Sequence, residues 1–218
     1  MYKNLIFDIS GVLVEWQPRE YLMERFLNAD TEKRVYDITF GSAEWRLLDA
    51  GEITRFEASR RMLENARQAG IAFEVQEVLD DWTNILHTHY RVVELAAQLK
   101  ANGYKIYYLA NSAEDILHKW KHRSFWRLFS GGIASCEVHL LKPQPEIYRL
   151  LLDTYHLDPA ECVFIDDNPE YVKAAFDLNI ASVLMHGSAA ALTHSLVKCG
   201  VRVRTSPFAR LNEPRKKK

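Results

Sequence analysis

Three apolar residues closed by a carboxylate, Leu5-Ile6-Phe7-Asp8, followed by Ile9-Ser10-Gly11-Val12, restrict this chain more than any other stretch. Apolar residues in unbroken succession mark a strand covered on both faces, the habit of a parallel sheet. Asp8 falls where the strand stops and a glycine turn begins, and in open α/β sheets ligands bind outside the carboxyl ends of the strands. Taken alone, Asp8 serves as well for a turn or helix cap. The rest of the chain must separate the two roles.

From Val92 onward the pattern repeats. A helix over Val92 to Ala101 gives way to the strand Ile106-Tyr107-Tyr108-Leu109, then Ala110-Asn111-Ser112 and a helix running to about Trp126. A short strand, Ile133-Ala134-Ser135, precedes Lys142-Pro143-Gln144-Pro145 and a helix over Glu146 to Tyr155. Cys162-Val163-Phe164-Ile165 is a second wholly apolar strand, ending in Asp166-Asp167-Asn168. A helix around Tyr171 to Leu178 and a strand Ala181 to Met185 complete the alternation. Strand–helix alternation of this kind predicts an α/β fold with a doubly wound parallel sheet.

Between Pro18 and Tyr90 no strand pattern is found. Tyr21, Leu22, Arg25 and Phe26 share a helical face, Trp45, Leu47 and Leu48 another, and Thr54 with Glu57 forms a capping-box pair before a helix expected to bury Phe56, Met62 and Leu63. Phe73 to Tyr90 carries Val75, Val78, Leu79, Trp82, Ile85 and Leu86 at helical spacing. This stretch far exceeds an ordinary crossover, which argues for an inserted all-helical cap. The expected organisation is an α/β core over 1–16 and 91–218 and a cap over 17–90.

Composition narrows the partners. A hydrophobic content of 48% in 218 residues supports a sizeable core, and a net charge of −1 gives no global pull toward nucleic acid or a membrane. The one basic run, Arg215-Lys216-Lys217-Lys218, reads as a solvated terminus. Cys136, Cys162 and Cys199 lack CxxC spacing, which favours reduced thiols in a cytoplasmic protein over a disulfide framework or zinc site. Met1 to Asn4 leave no room for a secretory segment before the first strand, and no apolar run reaches membrane-spanning length. A monomer or homodimer acting on a small molecule fits these limits.

Collected along one sheet rim, the strand-end residues are Asp8, Asn111, Ser112, Lys142, Asp166 and Asp167. Several carboxylates gathered with a lysine and an amide call for a compensating ion, and Mg²⁺ completed by water and a substrate phosphate supplies it. The ordered set resembles the haloacid dehalogenase (HAD) superfamily. Its first motif matches Asp8-Ile9-Ser10-Gly11-Val12, its second Leu109-Ala110-Asn111, its third Lys142-Pro143 and its fourth Phe164-Ile165-Asp166-Asp167-Asn168. The cap run 41–54 and the Asp-Asp-Asn-Pro run extend the likeness to the subgroup of α-glucose-1-phosphate phosphatases and epoxide hydrolase N-terminal phosphatase domains.

The resemblance implies a Rossmann-like core with a cap, and a Mg²⁺-dependent phosphatase acting on a small phosphorylated metabolite, with a sugar phosphate as the expected substrate. It makes Asp8 the nucleophile and forms an aspartyl-phosphate on it. It assigns the metal to Asp8, the Ser10 carbonyl, Asp166 and Asp167, and the phosphoryl group to Lys142, Asn111, Ser10 and Gly11. Two positions depart from the pattern. The acid that protonates the leaving group in the family is Ser10 here, and losing general acid–base catalysis costs about 10²–10⁴ in rate. The hydroxyl ligand of the second motif is Ala110, a loss of roughly 1.5–3 kcal/mol if the contact is charge-assisted. The expected enzyme is therefore slow, and a protein that binds Mg²⁺ and a phosphorylated ligand without efficient turnover is the alternative. A dehalogenase of the same fold fits less well, since Asp166 and Asp167 are both retained. In the cap, Trp16, Trp45, Arg46 and Glu52 are candidate pocket residues, with cap packing and surface charge as their other roles. His87 and His89 read as linker residues, Trp120 and Trp126 as packing, and His139 as a possible neighbour of Lys142.

Overall fold

Five parallel strands in the order β3-β2-β1-β4-β5 carry the molecule in a computed structural model, which describes residues 1–203. The strands are β1 (Asn4–Phe7), β2 (Lys105–Ala110), β3 (Gly131–Ala134), β4 (Cys162–Asp166) and β5 (Ala181–Leu184). The basic run Arg215 to Lys218 lies outside the described residues. From β1 the chain steps outward through β2 and β3, then returns to the other side of β1 for β4 and β5. The order therefore reverses between β1 and β4, and the crevice at such a reversal is where open α/β sheets hold their ligands. The register pairs Phe7 with both Tyr108 and Ile165, which brings Asp8 and Asp166 level at that crevice.

Alternate residues of each strand feed opposite cores. Leu5, Phe7, Ile106, Tyr108, Val163 and Ile165 face one side, and Ile6, Tyr107, Leu109, Phe164 and Cys162 the other. Helices cover both faces, so the strands are apolar throughout, as the sequence pattern required. The core helices are α6 (Tyr90–Ala101), α7 (Glu114–Lys121), the short α8 (Ser135–Val138), α9 (Pro145–Tyr155), α10 (Pro169–Phe176) and α11 (Ala189–Cys199), after the helices of the insert. Among the described residues no helix is long and apolar enough to cross a membrane.

The insert between β1 and β2 is helical: α1 (Pro18–Phe26), α2 (Ala29–Ile38), α3 (Ala43–Asp49), α4 (Arg55–Ala69), α5 (Ala72–Asp81) and a 3-10 turn at Trp82–Ile85. The two chain crossings between insert and core are tied together. Glu15 donates to the His87 carbonyl at 2.8 Å and His89 to the Leu13 carbonyl at 2.8 Å. His87 and His89 thus belong to the connection, as expected.

Several local expectations need correction. Phe56 is 80% exposed, because α4 buries Ala58, Met62 and Ala66, one turn apart, and Phe56 lies off that stripe. The helix expected to reach Trp126 stops at Lys121, and a 3-10 turn over Ser124–Leu128 follows. The third strand starts and ends earlier, and Ser135 opens α8. Phe73 to Tyr90 is not one helix: it is α5, the 3-10 turn and an extended link, in which Thr88 bridges to Val14. Helices α2 and α11 were not foreseen. Thr54 caps α4 through the Glu57 amide at 3.2 Å, while the Glu57 carboxylate pairs with Arg61.

Candidate active site at the sheet switch point

Buried carboxylates are normally paired, and here one lysine serves two. Lys142 Nζ lies 2.6 Å from Asp166 Oδ2 and 3.0 Å from Asp8 Oδ2. All three residues are almost fully buried, at 2%, 0% and 5% exposure in the order Lys142, Asp166, Asp8. Each carboxylate has further support: the Ile9 amide donates to Asp8 Oδ1 at 2.7 Å and the Asn168 amide to Asp166 Oδ1 at 2.8 Å. Asp167, one residue beyond the strand, is exposed at the rim.

One oxygen each from Asp8, Asp166 and Asp167 lies within 4.8 Å of the others. Three carboxylates against a single ammonium leave excess negative charge, and a divalent cation with oxygen ligands suits that donor set. Electrostatics agree. Burial raises the Asp8 carboxyl well above the ordinary carboxylate range, Asp166 and Asp167 push it further, and Lys142 opposes them. Asp167, though exposed at the rim, rises to about 6 because the packed surroundings partly desolvate its carboxyl and Asp166 lies near, against the pull of Lys142. Burial alone would lower the Lys142 pKa, but Asp166 and Asp8 outweigh it and carry it upward.

Gly11 closes this corner. Its φ is +78°, a conformation glycine adopts without strain, and a Cβ there would stand 2.1 Å from Asp167 Oδ2. Asn111 pins the lysine loop: its Nδ2 donates to the Lys142 carbonyl at 3.0 Å, and its Oδ1 accepts from the Lys142 amide at 2.8 Å. Ser112 is buried, and its amide donates to Ser135 Oγ at 2.9 Å. The Ser135 hydroxyl donates in turn to the Asp49 carbonyl at 2.5 Å, joining the second-strand loop to α3.

Above the carboxylates lies a cavity of about 440 Å³, within the size range of small-molecule sites. Asp8, Ser10, Asn111, Lys142 and Asp167 form part of its floor. Trp16, Phe40, Trp45 and Trp82 form an aromatic wall, with ring centroids 4.9–6.1 Å apart. Of the candidate pocket residues, Trp16, Trp45 and Arg46 line this cavity, whereas Glu52 is exposed and outside its wall. Trp120 also lines it while packing as a buried side chain, and the Trp126 ring packs 4.8 Å from Tyr108. His139 does not reach Lys142; it pairs through Nδ1 with the Ala50 carbonyl at 2.9 Å, at the seam between insert and core.

Phe40, Asp49, Arg55, Trp82 and Tyr171 are among the lining residues that the sequence does not single out. Phe40 and Trp82 look like helix-core aromatics, and only the folded insert turns them to the cavity. Arg55 spans the seam, with a two-point ion pair to Asp115 at 3.1 Å and its guanidinium 4.9 Å from the Trp82 ring. Tyr171 places its ring 5.0 Å from Lys142 Nζ. Its signal was present, as an aromatic in the first turn of a helix beginning beside the fourth-strand carboxylates.

A family model described as haloacid dehalogenase-like hydrolase matches residues 2–178. Bifunctional epoxide hydrolase 2 of Sus scrofa is 30% identical over 93% of the chain, which spans only 40% of that protein's length. The sesquiterpene phosphatase astK of Aspergillus oryzae is 28% identical over 91% of the chain and 93% of its own length. A HAD family enzyme from Bacteroides thetaiotaomicron, crystallised in complex with magnesium and inorganic phosphate, shares the fold with a TM-score of 0.62 and 22% identity, covering 85% of this chain and 95% of that one.

Proposed function

The chain belongs to the haloacid dehalogenase-like hydrolases, and we propose that it is a Mg²⁺-dependent phosphatase of small phosphorylated metabolites, with Asp8 as its nucleophile. The observation that carries this reading is the Asp8–Lys142–Asp166 cluster, buried beneath the cavity, with Asp8 and Lys142 among the residues that line it. Support for phosphate ester chemistry comes from the phosphatase among the relatives and from the fold neighbour that holds magnesium and phosphate.

Asp8, Asp166 and Asp167, with the Ser10 carbonyl, would hold Mg²⁺, which neutralises phosphate charge and lowers the barrier to attack. Lys142, 3.0 Å from Asp8, favours the ionised form of that carboxylate against the effect of burial and presents its ammonium to the phosphoryl oxygens. The Gly11 amide donates to the Val14 carbonyl at 2.7 Å, so of the two turn residues expected to hold the phosphoryl group Ser10 is left to do so, and Asn111 fixes the lysine loop that delivers Lys142. Asp8 attacks phosphorus in line, the ester oxygen departs, and water then cleaves the aspartyl-phosphate. Preorganised charge does most of the work.

Helices over 17–90 act as the cap that selects the substrate, above a core over 1–16 and from 91 onward among the described residues. The aromatic wall with Arg46 and Arg55 suits the face of a sugar or another flat, partly apolar body. A sugar phosphate remains the substrate we expect. The three free cysteines fit a reducing cytoplasm. A second reading, ligand binding without efficient turnover, draws on Ser10 and on Ala110, whose methyl is fully buried.

Purified protein assayed with Mg²⁺ against a panel of sugar phosphates and aryl phosphates tests the proposal. Turnover that Asp8→Asn abolishes is expected. Turnover equal in the two proteins, or absent from both, contradicts it. If Ser10→Asp raises a near-zero rate sharply, a built site lacks only its acid.

A further inference from the structure

Expelling an alkoxide from phosphorus requires a proton at the ester oxygen, and the Ser10 hydroxyl is too weak an acid to give one. The donor must lie across the cavity from Asp8, because in-line attack sends the leaving oxygen away from the nucleophile. The side facing the core floor is the cap. Among the described residues lining the cavity, the carboxyl groups are Asp8, Asp49, Asp167 and Glu170, with no histidine or cysteine. Asp8 is committed to attack and Asp167 to the cation, while Glu170 is exposed at the start of α10. Lys142 is held charged by its two carboxylates.

We propose that Asp49, the last residue of cap helix α3, is the general acid of the first step and the general base of the second; this rests on the phosphatase reading above. As the bond from phosphorus to the ester oxygen breaks and that from Asp8 forms, the Asp49 proton goes to the departing oxygen. Asp49, now ionised, then takes a proton from the water whose oxygen attacks the aspartyl-phosphate. Asp8 and phosphate are released and Asp49 is again protonated. Net, one ester and one water become one alcohol and one phosphate.

Its setting suits the task. The Ser135 hydroxyl fixes the Asp49 backbone through its carbonyl at 2.5 Å, so the cap residue is registered against the second-strand loop. Burial raises the carboxyl to about 7, with Asp115 of α7 adding to it, while Arg55 of α4, the Ala113 amide and the Trp45 side chain hold it from rising further. The other titratable groups on the neighbouring α8 segment are the half-buried Cys136, Glu137, which pairs with Lys121 at 2.9 Å, and His139, whose ring is engaged with the Ala50 carbonyl. A carboxyl ionising near neutrality can both give and recover a proton in one cycle.

The test compares p-nitrophenyl phosphate, whose leaving group needs no proton, with phenyl phosphate, whose leaving group gains from one. General acid catalysis is worth about 10²–10⁴, so Asp49→Asn should lower kcat/KM, which stops at ester cleavage and excludes the shared second step, by at least about tenfold more for phenyl phosphate than for p-nitrophenyl phosphate. In the wild type kcat/KM for phenyl phosphate should fall above neutral pH, as Asp49 loses its proton, and that fall should vanish in the variant. Turnover of p-nitrophenyl phosphate itself reports that the variant is folded. Equal losses of kcat/KM on both esters, total loss included, or no loss on either, overturn the proposal while leaving the phosphatase reading intact. A wild-type protein inert on every ester fails that reading instead.

Discussion

Lys142 shares its ammonium between Asp166 at 2.6 Å and Asp8 at 3.0 Å, with no exposed surface on its side chain. Removing one partner of a buried ion pair costs about 3–5 kcal/mol, because the other charges stay behind unpaired. Lys142→Met should therefore lower unfolding free energy by that order at neutral pH, measured by urea denaturation, and abolish turnover. Gly11→Ala tests the opposite corner. The left-handed backbone costs roughly 1–2 kcal/mol for a residue with a Cβ, and the 2.1 Å clash must also displace the Asp167 carboxylate. Reduced Mg²⁺ affinity by calorimetry, alongside a lower Tm, is the expected result. At this scale the sequence was informative: each strand-end carboxylate, the lysine and the glycine turn stood out, because buried apolar runs with polar ends are local signals. Asp49 did not, since a carboxylate closing a helix within a charged cap resembles any surface residue until the cap is folded over the core.

Helix α3 and the loop after it form the seam on which the cap rests. Ser135 is fully buried, and its hydroxyl both accepts from the Ser112 amide and donates to the Asp49 carbonyl. Ser135→Ala leaves two buried backbone groups without partners, at roughly 1–3 kcal/mol for an unsatisfied group. A Tm shift, with faster proteolysis within the cap, would record it. Gly51, φ +70°, packs so closely that a Cβ would lie 2.4 Å from the Cys136 carbonyl oxygen, so the seam tolerates no larger residue there. Elements with unbroken apolar runs or clear caps were legible: β1, β4 and the Thr54-capped start of α4 follow their patterns. Helix α2 was not, because its buried residues, Glu32 and Val35, give no apolar stripe to read. The end of the third strand is expected one residue late, because Ser135 supports a helix start as readily as a strand end.

For the whole molecule, fold and cap follow from where apolar runs fall along the chain, whereas the cavity depends on how the cap docks. Its wall brings together Trp16, Phe40, Trp45 and Trp82 from separate segments, a juxtaposition that no local spacing encodes. Global stability should depend on pH and metal together. Asp167 and Asp49 have folded pKa values of about 6 and about 7, both raised above the unfolded carboxylate value of 3.8. A raised carboxyl binds more protons folded than unfolded, so its contribution is complete below pH 4 and is lost as pH climbs through 6 to 7. Without metal, Tm should fall across that window. Mg²⁺ competes with protons for Asp8 and Asp167, so the Tm increase it produces should grow with pH. At a hundred times its Kd that gain is about 2.7 kcal/mol.

The most direct measurement is acid quenching of the enzyme during turnover of a ³²P-labelled ester in the presence of Mg²⁺, followed by peptide mapping. Label on the peptide containing Asp8, released by hydroxylamine and missing from Asp8→Asn, is the predicted result. Steady turnover with no label at Asp8, or label on another residue, would contradict the account.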